Sequence, residues 1–318
     1  MSDLAALAVV LEAPERSDFR RLELTPPARD DVVVDIDFSG ISTGTERLLW
    51  NGTMPPFPGM GYPLVPGYES VGRIISAGPQ SQRRAGQLVF VPGARCYGHV
   101  HGLFGGAASR VVLPGKRTLP LDESLGERGV LLALAATAYN AIRAPEGGFR
   151  SPELIVGHGV LGRLLARLAL VLGDVPPVVW EIDPRRRSGN AGYEVKSSAE
   201  DPRFDYSAIH DVSGSAGLLD TLIARLAPGG EVVLAGFYSQ PLQFAFPPAF
   251  MRRARLRVAA EWQQEDLAAV CRLVESGSLS LDGLITECRD ADKAQEAYEN
   301  AFGNPASLKT ILDWRAFH

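Results

Sequence analysis

The chain has 318 residues, 46% of them hydrophobic and 22% charged, with a formal net charge of −5. That length exceeds one ordinary core and predicts two domains, while the acidic balance and the lack of a basic stripe argue against nucleic acid as a partner. Three scattered cysteines, Cys96, Cys271 and Cys288, exclude a disulfide framework and suit a reducing cytoplasm, and no apolar run approaches the ~20 residues of a membrane span.

Met1 to Glu12 has no basic leader and meets an acid at Glu12, so it reads as a first strand. Further strands are predicted at Val32–Phe38, Ser70–Ile75 and Gln87–Val91. Between the first two lies Leu48–Pro66, whose proline and glycine density predicts no regular structure. It still carries Trp50, Met54, Phe57, Met60 and Tyr62, which either pack over the barrel or form a wall for a substrate. Cys96, His99 and His101 follow in a polar loop whose spacing is not a standard zinc pattern. The character changes near Leu121. A helix is predicted over Glu127–Ile142, then strand and helix alternate: Glu153–Val156, Val160–Leu172, Val178–Ile182, Ala208–Val212, Leu218–Leu226 and Glu231–Leu234. Such alternation predicts a parallel, doubly wound sheet. Arg252–Ala259 suits an edge strand whose charges discourage further pairing. A helix over Ala291–Phe302 and a strand over Leu308–Leu312 end the chain, and that strand is expected to return to the first domain.

Gly157-His158-Gly159-Val160-Leu161-Gly162 has the form G-x-G-x-x-G. It follows a predicted strand, opens a predicted helix, and is trailed by Glu181 at the end of the next strand. That context marks a dinucleotide fingerprint, with phosphates at a helix N-terminus. Glu181, or Asp183 two residues on, would accept hydrogen bonds from the adenine ribose, and a carboxylate there favours NAD over NADP. Arg185, Arg186 and Arg187 are the competing sign, since a basic cluster accepts a 2′-phosphate. Ser213, Gly214 and Gly236 lie at the ends of later strands and would flank the nicotinamide half, although strand-end turn chemistry accounts for each equally well.

The motifs Ser39–Glu46, Pro66–Gly72, Gly105–Ser109, the Gly157 fingerprint, Asp211–Ser215 and Ala227–Gly236 are spread over essentially the whole chain. With a strand-rich start, a central dinucleotide fold and a returning tail, the chain resembles the medium-chain dehydrogenase/reductase superfamily. The resemblance implies an α/β protein. A strand-rich GroES-like catalytic domain would cover residues 1–125 and 285–318, and a Rossmann domain with a doubly wound parallel sheet residues 126–284. It also implies a homodimer through the edge of that sheet. Zinc-dependent members place Cys where this chain has Ser42 and His where it has Tyr68. Both replacements are poor zinc ligands and the four-cysteine lobe is missing, so no metal is expected. The chain is most similar to the branch that oxidises the 3-(1-hydroxyethyl) group of a bacteriochlorophyllide to 3-acetyl in bacteriochlorophyll biosynthesis, a likeness carried by Ser39–Trp50 and Met54–Ser70.

That resemblance implies transfer of a hydride from the carbinol carbon to nicotinamide C4, with the hydroxyl proton leaving to a side chain in place of zinc chemistry. Tyr68 is the first candidate, provided a nearby cation or the nicotinamide charge lowers its ordinary pKa of ~10. His99, ordinarily near ~6.5, is the second. Ser42 and Thr45 would hydrogen-bond the substrate oxygen, and Glu46 and Glu69 are expected as structural carboxylates paired with arginine. A flat tetrapyrrole would use the apolar side chains of the Trp50–Tyr62 loop as a wall. Arg47 or Arg95 would suit its propionate, exposed arginine being the default reading for both. So greasy a substrate leaves room for peripheral contact with a membrane surface. Two rival readings are a zinc-free NAD(P)H quinone or enone reductase, against which Glu181 counts, and a non-catalytic NAD(H)-binding sensor.

Overall fold

The computed structural model describes residues 4–56, 58–173, 175–190, 192–259 and 261–318. The chain divides into two compact units, Met1–Ala133 with Leu284–His318, and Leu134–Gly283.

The first unit is built around the strand Asp31–Ile41, nine of whose eleven residues are buried. Both of its faces are covered, which is why the alternation expected for a half-exposed strand does not extend along it. Antiparallel Ser70–Ala77 lies on one side, with Ser39 opposite Ser70. Lys309–Asp313 lies on the other, with Thr310 opposite Ile41, so the tail does rejoin this unit. Across the sheet the order is Ile285–Asp290, Lys309–Asp313, Asp31–Ile41, Ser70–Ala77, Leu88–Val91, Leu119–Pro120. A smaller sheet pairs Arg16–Glu23, Ala5–Ala13, Leu64–Val65 and His101–Gly102 in that order. Val9, Leu11, Val34, Ile36, Val91, Val111 and Trp314 fill the space between strands with no exposure, each such side chain contributing about 1.5–3 kcal/mol.

Leu48–Pro66 departs from the expectation at both ends. Leu48, Leu49 and Trp50 finish a helix, Thr45–Trp50, because no proline arrives before Pro55 and because Leu49 and Trp50 have a core to enter. Leu64–Val65 is a short strand.

The second unit is a six-stranded, wholly parallel sheet. Its strands run Leu154–Val156, Val178–Trp180, Glu194–Lys196, Tyr206–Asp211, Leu226–Leu234 and Arg255–Val258 in the chain. In space they take the order third, second, first, fourth, fifth, sixth. The chain thus fills one half of the sheet outward from Leu154–Val156 and then the other, the doubly wound pattern. The helix Val160–Leu172 has the expected bounds. The helix expected over Glu127–Ile142 is Leu132–Ile142, preceded by 3₁₀ turns over Glu123–Leu131 that break at Gly126. Arg255–Val258 is the outermost strand. Among the described residues no helix is long and apolar enough to cross a membrane.

Candidate functional site

In the second unit the first strand delivers Gly157 into a turn at φ +107°, a conformation that a side chain would oppose. A Cβ on Gly162 would lie 1.9 Å from the Gly157 carbonyl oxygen, so helix and strand meet this closely only through glycine. Gly159 caps the Val160–Leu172 helix with no side-chain hydrogen bond, which leaves its first N–H groups available to an anion. Because strand order reverses here, the Gly157 turn adjoins the turn after the fourth strand. A Cβ on Gly157 would be 3.5 Å from Ser213 Cα, and one on Gly236 would be 3.1 Å from the Gly214 nitrogen. Three strand-end turns therefore stack at the switch point, where open α/β sheets bind ligands. Asp211 ties them. Its Oδ1 accepts from the Ser213 N–H at 2.9 Å, its Oδ2 from the Tyr238 hydroxyl at 2.9 Å, and its carbonyl from the Ala235 and Gly236 N–H groups. Burial, the larger influence, holds the Asp211 carboxyl above its usual range despite these donors.

Glu181 follows the second strand and is 7% exposed. Its carboxylate accepts from the His158 N–H at 3.0 Å and the Asp183 N–H at 2.9 Å, and two oxygens with about four lone-pair sites leave room for further donors. Asp183 is engaged by Arg185 at 2.9 and 2.8 Å, which draws it down to about 2. Arg187 donates to the Glu181 carbonyl and to Glu200. Arg186 reaches the fingerprint, its Nη1 4.0 Å from where a Cβ on Gly159 would stand. His158 is buried, which pushes it down to about 4, so it is neutral with one donor and one acceptor nitrogen. Nδ1 faces the Arg186 carbonyl at 2.6 Å and must donate. Nε2 then accepts from the Tyr193 hydroxyl at 2.9 Å. Arg163 closes the loop by donating to the His158, Arg186 and Ser188 carbonyls. An uncapped helix start, an open glycine and a carboxylate with spare acceptors together fit a nicotinamide dinucleotide.

In the first unit three strand ends converge. Ser42 leaves the central strand, Tyr68 and Glu69 lead into Ser70–Ala77, and Lys309 begins the returning strand. Ser42 Oγ and Tyr68 Oη lie 2.7 Å apart, Thr45 is close enough to act on the phenol's titration, and Phe104 meets the Tyr68 ring edge-on at 5.4 Å. Burial, and after it the Glu69 charge, push the Tyr68 hydroxyl above its ordinary value. Lys309, a cation at this cluster, is bound to Glu69 and does not lower it. Tyr68 is a hydroxyl that keeps its proton.

The two carboxyls lack the expected arginines. Glu69 pairs with Lys309 Nζ at 2.5 Å, and the same ammonium donates to the Ile41 carbonyl at 3.1 Å. Glu46 accepts from the Tyr298 hydroxyl at 2.7 Å and the Ser42 N–H at 3.3 Å. Burial first, with Glu69 adding to it against Tyr298 and Lys309, pushes Glu46 up to about 8. A zinc ion does not fit this donor set. Ser42 and Tyr68 are protonated hydroxyls bonded to each other, and Glu69 already carries an ammonium.

Cys96 turns inward, where its Sγ accepts from the Val112 N–H at 3.4 Å and burial raises the thiol to about 11. His99 and His101 are exposed, so the loop does not bring the three together. Among the described residues no group of three His, Cys, Asp or Glu is placed to hold a metal. His99 is not among the hydrogen-bond partners of Tyr68. Trp50 is no substrate wall. It is 5% exposed and stacks on Tyr298 at 5.3 Å, since the helix that carries it turns it inward. Met54, Met60 and Tyr62 are half-buried against the barrel core, with the Tyr62 hydroxyl donating to the Leu49 carbonyl. Phe57 lies outside the described residues. Arg47 and Arg95 are exposed. Lys309, Tyr298 and Tyr238 were not expected at either site. The one available signal was a lysine inside the apolar run Leu308–Leu312.

A switch-point dinucleotide turn in one unit and a strand-end hydroxyl cluster in the other define a dehydrogenase. The chain belongs to the medium-chain dehydrogenase family, and residues 28–123 match the alcohol dehydrogenase GroES-like domain. A 2-desacetyl-2-hydroxyethyl bacteriochlorophyllide A dehydrogenase of Rhodobacter capsulatus is 56% identical over 96% of this chain and 98% of its own. Two solved structures share the fold. A Sinorhizobium meliloti putative zinc-binding dehydrogenase bound to NADP has a TM-score of 0.78 at 19% identity, covering 97% of this chain and 99% of its own. An Escherichia coli alcohol dehydrogenase complexed with NADH has a TM-score of 0.81 at 18% identity, covering 98% and 99%.

Proposed function

We propose that this protein oxidises the 3-(1-hydroxyethyl) group of a bacteriochlorophyllide to 3-acetyl, with NAD as hydride acceptor and without catalytic zinc. The observation that carries the substrate is the Rhodobacter capsulatus relative, which is named for a hydroxyethyl bacteriochlorophyllide and matches 96% of this chain. A nicotinamide dinucleotide held at the Gly157–Gly162 turn and Glu181 would supply the hydride acceptor for the carbinol carbon. Tyr68 donates its O–H to the carbinol oxygen, as its retained proton permits, and so stabilises the charge that develops there. The carbinol proton is relayed to solvent water, Ser42 and Thr45 each releasing a hydroxyl proton as it accepts one, and the half-buried Thr45 is nearer to water than the buried Ser42.

NAD is favoured by the ribose end of the site. Glu181 stands beside the fingerprint, while Arg185 and Arg187 are tied to Asp183 and Glu200. A 2′-phosphate would meet a carboxylate there, and Arg186 over Gly159 would serve the pyrophosphate. We infer that the protein works in the cytoplasm and touches membranes at most peripherally, a reading supported by the lack, among the described residues, of a helix long and apolar enough to cross a membrane. It is proposed to act as a homodimer through the outer edge of the parallel sheet, where Phe246, Phe250, Met251 and Val258 are 67%, 64%, 77% and 73% exposed.

The test is pigment turnover. A red shift of the long-wavelength band of 3-(1-hydroxyethyl)-bacteriochlorophyllide with NAD⁺ supports the reading. No shift with either NAD⁺ or NADP⁺, in protein that binds NADH, removes it.

A further inference from the structure

The Ser42–Tyr68 contact joins two separate segments, and the support for it lies directly behind. Ile41 precedes Ser42, and Glu69 follows Tyr68. One ammonium, that of Lys309, donates to both, at 3.1 Å to the Ile41 carbonyl and 2.5 Å to the Glu69 carboxylate. The two ionic side chains are 1% and 0% exposed. Gly40 completes the seat. Its N–H donates to the Glu69 carbonyl at 2.7 Å, and a Cβ there would come within 2.4 Å of Glu69 Oε2. Among the described residues Glu69 Oε1 has no hydrogen-bond partner, so the carboxylate is oriented through Lys309.

We infer that Lys309 is a positioning residue of the reaction, its ammonium clamping Ile41 to Glu69 and so holding the Ser42 and Tyr68 hydroxyls in register. Stability alone does not call for the pair. Desolvation offsets most of the attraction between buried ions, and apolar residues of similar volume commonly support a fold as well. The neighbouring charge is arranged to suit a single cation. Glu46, from the Thr45–Trp50 helix, is the second carboxyl at this place, and Tyr298, from the helix Ala294–Gly303, donates to its Oε2.

The inference rests on the proposed oxidation for its kinetic readout, so a second readout is independent of substrate. Tyrosines are labelled with ¹³C at Cζ, and the Tyr68 resonance is assigned by its loss in Tyr68→Phe. Two variants are compared with the unaltered protein. Lys309→Met/Glu69→Gln removes both charges together, and Lys309→Arg keeps the cation while changing its reach. Both are expected to melt near the unaltered protein and to bind NADH equally well, because the dinucleotide residues belong to the other unit. The Tyr68 resonance shifts, and kcat falls about tenfold to hundredfold, the scale of a misplacement near 1 Å. A folded variant with an unmoved Tyr68 resonance overturns the clamp, and so does one with unchanged kcat. If the double variant does not fold, Lys309→Arg decides by the same readouts. If the unaltered protein leaves the pigment unchanged, the proposed function fails and the Tyr68 resonance alone judges the clamp.

Discussion

The Tyr298 hydroxyl donates to the Glu46 carboxyl at 2.7 Å, joining residues 252 positions apart in the core of the first unit. That carboxyl is fully buried and feels a second, Glu69, which holds the Lys309 ammonium. Its folded pKa of about 8 lies above the ordinary 4.5. Below pH 4.5 both folded and unfolded chains hold the proton. As pH rises toward 8 the unfolded chain releases it first, so stability falls across that window by at most about 1.4 kcal/mol per pH unit from this group. Glu46→Gln keeps an oxygen for Tyr298 and has nothing to titrate. Its urea midpoints should decline less between pH 4.5 and 8. Parallel curves for the two proteins would contradict the buried, protonated Glu46.

The hydroxyl cluster makes a kinetic prediction. Tyr68→Phe removes the donor and Ser42→Ala its partner at 2.7 Å. Tyr68→Phe should lower kcat by about 10²–10³-fold, the range of a charge-stabilising donor, and Ser42→Ala by about 10²–10⁴-fold, the range of a proton-transfer group, each with NADH affinity unchanged. His99→Ala should have little effect, since His99 is exposed and outside the cluster. Single-turnover kinetics separate these from binding losses. Full turnover in Tyr68→Phe would remove the cluster from the mechanism.

How far the sequence could be read depended on how local the cause was. The Val160–Leu172 helix was legible to the residue because glycine stands at both of its ends and apolar residues repeat at helical spacing. The fold class followed from strand and helix alternation. The Thr45–Trp50 helix was not legible, since six residues beside a proline-rich stretch carry too little pattern. Arg16–Glu23 was missed because its charged residues face solvent, although it pairs with Ala5–Ala13 along nearly its whole length. The partners of Glu69 and Glu46 were beyond reach for another reason. Lys309 and Tyr298 are 240 and 252 positions away, and only the return of the tail strand brings them in. Trp50 was open to either reading until the stack with Tyr298 decided for the core.

The ribose end predicts cofactor preference. Glu181→Ala should weaken NADH binding about tenfold to hundredfold, the value of a charged hydrogen bond of about 1.5–3 kcal/mol, and should narrow the gap to NADPH. Gly162→Ala should abolish binding of both, because the new Cβ would stand 1.9 Å from the Gly157 carbonyl oxygen. Calorimetric titration measures all three proteins. Tighter binding of NADPH than NADH by the unaltered protein would contradict the assignment of Glu181.

The open sheet edge predicts assembly. Phe244, Phe246, Phe250, Met251 and Leu256 line a hollow of about 590 Å³ beside the outer strand, an apolar surface of the kind that marks an interface. Phe250→Glu with Val258→Glu should halve the mass seen by light scattering and leave the fold intact. A monomeric unaltered protein would contradict the dimer.

The most direct measurement is turnover of 3-(1-hydroxyethyl)-bacteriochlorophyllide by protein stripped of metal, with NAD⁺ and excess chelator, followed by the pigment spectrum and by NADH absorbance together. A red-shifted acetyl product and one NADH per pigment are expected, at a rate that added zinc does not raise. Activity that disappears with chelator and returns with zinc would contradict it, because the Ser42, Tyr68 and Glu69–Lys309 arrangement would then not be the working state of the site.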